Sequence, residues 1–228
     1  MMTKPCPVVF DLDGTLIDSV PDIHACVNAV LRESGIPLLP LDRVRSFVGG
    51  GVELLWSRII AARGLDPADR PRLLAAFMAR YHDATALTRL YPGAAEALAA
   101  LAELGHPLGI CTNKPLGPTR NILAHFGMDK LFGAVIGGDS LPQKKPHPAP
   151  LQATFAALGD EGAAPLGLFV GDSEFDAGAA EAAQIPFLLF TEGYRHTPVE
   201  DLPHLARFSR FPDLVRLVME WQPQEPAD

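Results

Sequence analysis

The stretch of sequence that decides the fold reads Val8-Val9-Phe10-Asp11-Leu12-Asp13-Gly14-Thr15-Leu16. Its first three residues are apolar and predict a short strand buried on both faces. Gly14 then allows the chain to turn sharply. Residues i and i+2 of an extended segment point the same way, so the carboxylates of Asp11 and Asp13 leave the strand on one side. Two acids at the end of a buried strand predict an active site.

Two other interpretations of this stretch fit it less well. An Asp-Gly hairpin turn explains Asp13 and Gly14 but not Asp11, and the residues after Leu16 follow a helical pattern. A calcium-binding EF-hand loop would place Val9 and Val20 at ligand positions. Neither valine can bind calcium, so the EF-hand interpretation fails.

Size and composition favour a soluble globular protein. The chain has 228 residues, 48% of them hydrophobic, which is enough for one large domain or two modest ones and excludes a disordered chain. The net charge of −8 argues against a nucleic-acid partner. Three cysteines without a CxxC pair, no apolar signal region and no apolar run of about 18–20 residues predict a cytoplasmic protein that is not bound to a membrane.

Hydrophobic periodicity divides the chain into two parts. Residues 18–87 show helical spacing, with Ser19 as the cap of the first helix, and contain no convincing strand. From Tyr91 onward, predicted helices (93–104, 116–126, 148–158 and 175–183) alternate with predicted strands (107–111, 134–137, 167–170 and 187–190). The sequence therefore predicts an α/β fold, a Rossmann-like parallel sheet with helices on both faces. Its discontinuous core would span 1–17 and 88–228, with 18–87 as an inserted all-helical cap domain and a disordered tail at 222–228.

Polar residues follow the predicted strands at their carboxyl ends, where open parallel sheets bind ligands. They are Asp11 and Asp13 after 8–10, Thr112-Asn113-Lys114 after 108–111, and Gly171-Asp172-Ser173-Glu174-Phe175-Asp176 after 168–170; the loop after 135–137 adds Lys144 and Lys145. Any one of these motifs is weak evidence. Their joint placement at one edge of the sheet predicts a shared site.

The electrostatics of such a site require a cation. Asp11, Asp13, Asp172 and Asp176 would place four carboxylates together, and each like-charge pair about 4 Å apart costs about 4 kcal/mol at an effective dielectric constant of about 20. One lysine cannot offset this cost. An all-oxygen ligand set favours Mg²⁺ over Zn²⁺. Strand alternation directs Cys111 into the helix layer as a core residue, and His147 is expected to be an exposed loop residue.

The motifs taken together resemble those of the haloacid dehalogenase-like hydrolase superfamily. They are Asp11-Leu12-Asp13-Gly14-Thr15, Thr112-Asn113, Lys145-Pro-His-Pro and Gly171-Asp172-Ser173-x-x-Asp176. Their order and spacing match the superfamily over essentially the whole chain, including a helical cap between the first two motifs. The stretch from Phe10 to Ser19 and the run Val48-Gly49-Gly50-Gly51 are most similar to bacterial phosphoglycolate phosphatases. One departure is Gln184, where relatives often carry glycine at the end of a helix.

The resemblance implies a role for each matching residue. Asp11 would be the nucleophile that forms an aspartyl-phosphate, and Asp13 the general acid and base, its backbone carbonyl also binding the metal. Phosphoryl oxygens would be held by Thr112, Asn113 and Lys145. Mg²⁺ would be held by Asp11, Asp13 and Asp172, with Asp176 acting largely through water. Thr15 would fix the nucleophile loop, and Ser173 would support the last motif.

The residues also weigh against several other functions. A P-loop would need a lysine after Gly49-Gly50-Gly51, a dehalogenase lacks the second acid supplied here by Asp13, and a phosphonate hydrolase needs a cap lysine, which 18–87 does not contain. A sugar-phosphate or nucleotide phosphatase and a phosphomutase of the same superfamily stay open. A non-catalytic phospho-accepting switch would use a similar Asp cluster but should not need a cap.

The glycine run in the predicted cap bears on the substrate. Gly49, Gly50 and Gly51 open a helix at Val52, where free N–H groups could hold an anion; a flexible hinge explains them equally well. With the resemblance, an anion seat predicts that the substrate is 2-phosphoglycolate, hydrolysed to glycolate and phosphate. The expected partner is thus a small-molecule phosphate ester, and the protein is expected to be a monomer or homodimer.

Overall fold

The computed structural model describes residues 5–159 and 167–221. In chain order the strands are β1 (Val8–Phe10), β2 (Ile17–Asp18), β3 (Arg89–Leu90), β4 (Leu108–Cys111), β5 (Ala134–Ile136), β6 (Leu168–Gly171), β7 (Phe187–Phe190) and β8 (Ala206–Phe208). The α-helices are α1 (Val20–Glu33), α2 (Leu41–Arg45), α3 (Val52–Arg63), α4 (Arg70–Tyr81), α5 (Ala94–Glu103), α6 (Leu116–His125), α7 (Ala149–Ala157), α8 (Glu174–Ala183) and α9 (Phe211–Glu220).

Six of the strands form one parallel sheet in the order β5-β4-β1-β6-β7-β8. The first strand of the chain lies in the middle of this sheet, because Phe10 pairs with Ile110 on one side and Val170 on the other. This register brings the carboxyl ends of β1, β4 and β6 to the same level. The predicted parallel sheet is confirmed, and its register places the motif residues side by side.

Helices cover both faces of the sheet. Val8 and Phe10 face a core built with α5, α6 and α9, whereas Val9 faces a second core built with α7 and α8. Cys111 is buried in this second core, as predicted. A strand buried on both faces must be apolar throughout, which is why β1 reads as a continuous hydrophobic run.

The helices α1 to α4, which we call the helical segment (residues 20–81), pack around an apolar core of their own. Trp56 and Phe77 are fully buried at its centre, with ring centroids 5.9 Å apart. Tyr194, from the loop after β7, also joins this core. The structure thus gives the residues predicted to form a cap a separate core; the domain boundaries at 18 and 87 stay a prediction.

The structure differs from the predicted elements at three places. A two-stranded antiparallel pair, β2 with β3, flanks the helical segment, and its first strand takes in residue 18. The sixth strand of the sheet, β8, was not predicted. The strands β2 and β3 have two residues each and β8 has three, which is too few to show the alternation of apolar and polar residues by which a strand is identified. The helical spacing of the sequence also predicts a helix over 71–85, whereas α4 ends at Tyr81.

Ser19 directly precedes α1, but its hydroxyl group does not cap the helix. The residue has φ −99° and ψ −5°, a helical conformation that differs from the extended one typical of caps. Within the described residues, the buried hydroxyl oxygen has no hydrogen-bond partner. The backbone N–H of Ser19 instead donates to the Tyr194 hydroxyl group at 2.8 Å.

The remaining predictions concern the cysteines, His147, the tail and the membrane. Cys6, Cys26 and Cys111 are buried and form no disulfide, and His147 is exposed. The predicted disordered tail, 222–228, lies outside the described residues. Within the described ranges, the structure has no helix that is long and apolar enough to cross a bilayer.

Candidate active site

The side chain of Asp11 lies directly beside that of Lys145 at the carboxyl end of β1. Lys145 Nζ is 2.8 Å from Asp11 Oδ1 and 2.6 Å from Asp176 Oδ1. It also donates a hydrogen bond to the Cys111 carbonyl oxygen at 2.7 Å. Three acceptors therefore fix a fully buried ammonium group, which holds two carboxylates of different motifs together.

Burial and neighbouring charges shift the pKa values in this cluster. Burial raises the pKa of Asp11 from 3.8 to about 7, against the lowering effect of Lys145 and with the help of the Asp176 charge. Burial and the charges of Asp176 and Asp11 raise the pKa of Asp172 well above its usual range. Although burial lowers the pKa of Lys145, the charges of Asp11 and Asp176 raise it overall. Lys145 therefore stays protonated, and its single positive charge does not balance the negative charges of the surrounding carboxylates.

Asp172 is oriented by hydrogen bonds to both of its carboxylate oxygens. Thr15 Oγ1 donates to Oδ1 at 2.9 Å, and the backbone N–H of Tyr194 donates to Oδ2 at 2.6 Å. The turn that carries Thr15 needs a glycine, because Gly14 has φ 91° and an added Cβ would lie 2.6 Å from Asp172 Oδ2. The predicted supporting role of Thr15 therefore corresponds to a direct contact with Asp172.

Both oxygens of the Asp176 carboxylate accept hydrogen bonds from protein donors. Its Oδ2 accepts the Ser173 hydroxyl group at 2.7 Å and the Ser173 backbone N–H at 3.0 Å. The bond from the backbone N–H is part of the capping box at the start of α8. Its Oδ1 accepts Lys145 Nζ. Ser173 and Asp176 thus both have structural tasks at this helix end, and Asp176 in addition holds Lys145.

The side chains of Asp11, Asp172 and Asp176, which we call the carboxylate cluster, fit a divalent cation. One oxygen from each lies within 4.8 Å of the others, and all three residues are buried. Three carboxylates against one ammonium leave two negative charges uncompensated when all are ionised. An all-oxygen donor set of this charge suits Mg²⁺.

Thr112 and Asn113 both line the same pocket as Asp11. The Thr112 hydroxyl oxygen accepts the backbone N–H of Lys114 at 3.2 Å, so its hydrogen stays available to a ligand. The Asn113 amide group is occupied, because Nδ2 donates to the Gly49 and Lys145 carbonyl oxygens and Oδ1 accepts the Lys145 N–H. Asn113 therefore connects the glycine run to the Lys145 loop, and its side chain is not free to bind phosphate as the resemblance implied.

Asp13 lies outside the carboxylate cluster. Its Oδ1 is 3.2 Å from Lys114 Nζ, and the Lys114 side chain is only 4% exposed. The Lys114 ammonium group also contacts the Tyr81 hydroxyl group and lies 4.3 Å from the centre of the Tyr81 ring. The expectation of four carboxylates sharing one lysine is therefore wrong: the site has a second buried lysine, paired with Asp13.

The pocket lies between the strand ends and the helical segment. Beside the polar groups it is lined by apolar side chains of the helical segment: Ile23, Val48, Val52, Leu55 and Phe77. Gly49 and Gly51 line it too, and Gly51, with φ 84°, directly precedes α3. Gly50 instead packs against Leu54 and Phe175. The structure thus brings two of the three glycines to the site and leaves the third in a packing role.

The sequence does not single out Tyr81 and Tyr194 as site residues, and it indicates Lys114 only as a polar residue at a strand end, without a role. The strand-end rule that singled out Thr112 also covers Lys114, and applied to β7 it would have covered Tyr194. Tyr81 follows the regular apolar spacing of a core helix, with Leu73 and Phe77 before it. No local signal distinguishes it from an ordinary core residue.

Comparisons with known proteins agree with this arrangement. A family model described as haloacid dehalogenase-like hydrolase matches residues 8–190. A phosphoglycolate phosphatase of Cereibacter sphaeroides is 53% identical over 93% of this chain and 98% of its own length, and one of Rhodospirillum rubrum is 43% identical over 92% and 89%. A crystal structure from Haemophilus somnus, described as a "predicted phosphoglycolate phosphatase", superposes with a TM-score of 0.87 at 32% identity, covering 95% of this chain and 99% of that one. With its motifs assembled at one sheet edge, the chain belongs to the haloacid dehalogenase-like hydrolases.

Proposed function

We propose that this hydrolase is a Mg²⁺-dependent phosphatase that converts 2-phosphoglycolate to glycolate and phosphate through an aspartyl-phosphate. The observation that carries the proposal is the contact of 2.8 Å between Lys145 and Asp11, which lines the pocket; it sets a nucleophilic carboxylate beside a cation for phosphoryl oxygens. The names of the relatives support the substrate, since the similarity to phosphoglycolate phosphatases extends over nearly the whole chain.

In the first step, an Asp11 carboxylate oxygen attacks phosphorus and forms a new O–P bond. The bond between phosphorus and the ester oxygen breaks, and Asp13 gives its proton to that oxygen, so that glycolate leaves. Lys145 and the Thr112 hydroxyl group stabilise the charge on the remaining phosphoryl oxygens. Asp13 is suited to this role because it lies in the same pocket as Asp11 but outside the carboxylate cluster.

In the second step, the carboxylate of Asp13 removes a proton from a water molecule, and the water oxygen attacks the phosphorus of the aspartyl-phosphate. The bond to Asp11 breaks, phosphate leaves, and both acids return to their starting states. Water as the acceptor distinguishes this reaction from that of a phosphomutase, in which a substrate hydroxyl group would take its place.

Asp11, Asp172 and the backbone carbonyl group of Asp13 would hold Mg²⁺, with Asp176 behind them. When bound, the ion would supply positive charge to the phosphoryl group and would compensate the two excess negative charges of the carboxylate cluster. Thr15 and Tyr194 keep the Asp172 carboxylate in place for this purpose.

A panel of phosphate esters, each measured as kcat/KM with Mg²⁺, tests the assignment. We expect 2-phosphoglycolate to rank first, ahead of sugar phosphates and nucleotides, because the apolar wall of the helical segment offers no partners for several hydroxyl groups. Asp11→Asn should abolish turnover of every ester. A sugar phosphate that is preferred at least tenfold would overturn the substrate; substantial activity in Asp11→Asn would overturn the covalent mechanism.

A further inference from the structure

The two buried lysines of the site have different surroundings. Lys145 is held by two carboxylates and a carbonyl oxygen. Lys114, by contrast, is paired within the described residues only with Asp13, at 3.2 Å, and contacts the neutral Tyr81 hydroxyl group. Lys114 therefore has room for a further anionic partner besides Asp13.

The location of Lys114 determines which part of a substrate it meets. In the proposed reaction the leaving oxygen must reach the Asp13 carboxylate, and Lys114 Nζ lies 3.2 Å from that carboxylate. In a phosphate ester of glycolate, the carboxyl carbon is two bonds from the leaving oxygen, roughly 2.4 Å at standard bond lengths. A carboxylate at that distance falls within reach of Lys114.

Tyr81 completes the surroundings of the lysine. Burial raises the pKa of its hydroxyl group well above the usual value, with the Asp13 charge adding to the rise, so the group stays neutral and can donate a hydrogen bond. Its ring stacks on Phe77, with centroids 4.7 Å apart, and this contact fixes its direction. Tyr81 thus offers a second, rigid donor from the end of α4.

The remaining walls favour a small group. Ile23, Val52, Leu55 and Phe77 close the pocket on the side of the helical segment. They provide no hydrogen bonds for a polyol, and a buried ion pair in such surroundings is stronger than one in water. The only cation available to a leaving group among these lining residues is Lys114.

We infer that Lys114, assisted by Tyr81, binds the carboxylate of the substrate and thereby determines the preference for a carboxylated phosphate ester. This inference rests on the proposed function, and it assigns the recognition of the leaving group to a core residue after β4 and a tyrosine of the helical segment. Lys114 acts here as a substrate-binding residue, distinct from the phosphoryl-binding Lys145.

The ratio of kcat/KM for 2-phosphoglycolate to that for ethyl phosphate tests the inference, since the two esters differ by the carboxylate. We expect Lys114→Met to lower this ratio about 10- to 100-fold, as loss of a hydrogen-bonded ion pair does. Lys114→Arg should retain most of the preference. The matched control is Lys130→Met, which removes a lysine exposed on the surface and should leave the ratio unchanged.

The outcomes separate the inference from the function on which it rests. A wild-type ratio far above one that persists in Lys114→Met overturns the inference and leaves the proposed substrate intact. An equal loss for both esters also overturns it, because it shows that Lys114 acts only on Asp13. A wild-type ratio near one refutes both the assignment of 2-phosphoglycolate as the substrate and the inference. If Lys114→Met does not fold, Tyr81→Phe replaces it and should lower the ratio several-fold; an unchanged ratio there is again a refutation.

Discussion

At the scale of single residues, the site holds buried carboxylates that repel one another. Asp11 and Asp172 are buried carboxylates with raised pKa values, and both lie close to the charge of Asp176. Lys145 offsets part of this repulsion, but one ammonium group faces three acids. A protein tolerates this arrangement where the charges serve a bound cation and a reaction, so the cluster should weaken the metal-free fold.

The pH dependence of stability follows from the shifted pKa of Asp11. The folded pKa is raised from 3.8 to about 7, so the metal-free fold holds this proton more tightly than the unfolded chain and loses stability as the pH rises between these values. The asparagine of the Asp11→Asn variant cannot ionise, so the variant does not lose stability in this way. In chelator, we expect the Tm of Asp11→Asn minus that of the wild type to increase from pH 4 to about 7 and then level off. A difference that does not vary with pH contradicts the prediction.

At the scale of elements, the ends of two helices, α3 and α8, help to form the site. The capping box of Ser173 and Asp176 lies at the start of α8 beside the site, and Gly51 directly precedes α3 at the pocket wall. Helix α8 ends at Ala183 and is followed by Gln184, the departure noted in the sequence, which has φ 57°. This left-handed conformation suits glycine and strains any residue with a Cβ.

We expect Gln184→Gly to raise the free energy of unfolding by about 0.5 to 1 kcal/mol, because relief of the left-handed strain exceeds the entropy that glycine adds to the unfolded chain. Gln184 is exposed, so the substitution removes little packing. Gln184→Ala keeps the strain and serves as the matched control, with a change under about 0.5 kcal/mol. Urea unfolding measures both; a glycine variant that is no more stable than the alanine variant would refute the strain.

At the scale of the whole molecule, a few polar contacts join the helical segment to the sheet around the site. Tyr194 donates its N–H to Asp172 and its hydroxyl group to Asp18, and it accepts the N–H of Ser19 at the start of α1. Asn113 bonds to Gly49, and Lys144 pairs with Glu53 in α3. The carboxylate cluster is thus tied to both parts, and its charge state should affect the stability of the entire fold.

Mg²⁺ should therefore raise the Tm of the wild-type protein. Binding to the folded state alone contributes about 2.7 kcal/mol at a concentration 100 times the Kd. We expect Asp172→Asn to lose most of this gain, because it removes a charge from the carboxylate cluster. Asp129→Asn, which neutralises an exposed acid elsewhere, should keep it. A Mg²⁺-induced shift of equal size in all three proteins would argue against a metal at the cluster.

The sequence by itself determined the features that depend on neighbouring residues. The apolar runs identified β1, β4, β5, β6 and β7, since a buried parallel strand must be hydrophobic throughout. The motif residues at their carboxyl ends identified the edge that carries the site. The parallel register then brought Asp11, Thr112 and Asp172 together, as adjacency of strand ends requires.

Only the tertiary structure decided which charges meet across the chain. The contact of Lys114 with Tyr81 joins a strand end to a helix end 33 positions away, and the bond from Tyr194 to Asp172 spans 22. Asn113 was expected to hold phosphate, yet its amide is used between two loops. Periodicity reports which face of an element is buried, but not which partner a buried polar group finds. The partner depends on how separate elements pack. The pairing of Lys114 with Asp13 and Tyr81 therefore becomes visible only in the structure.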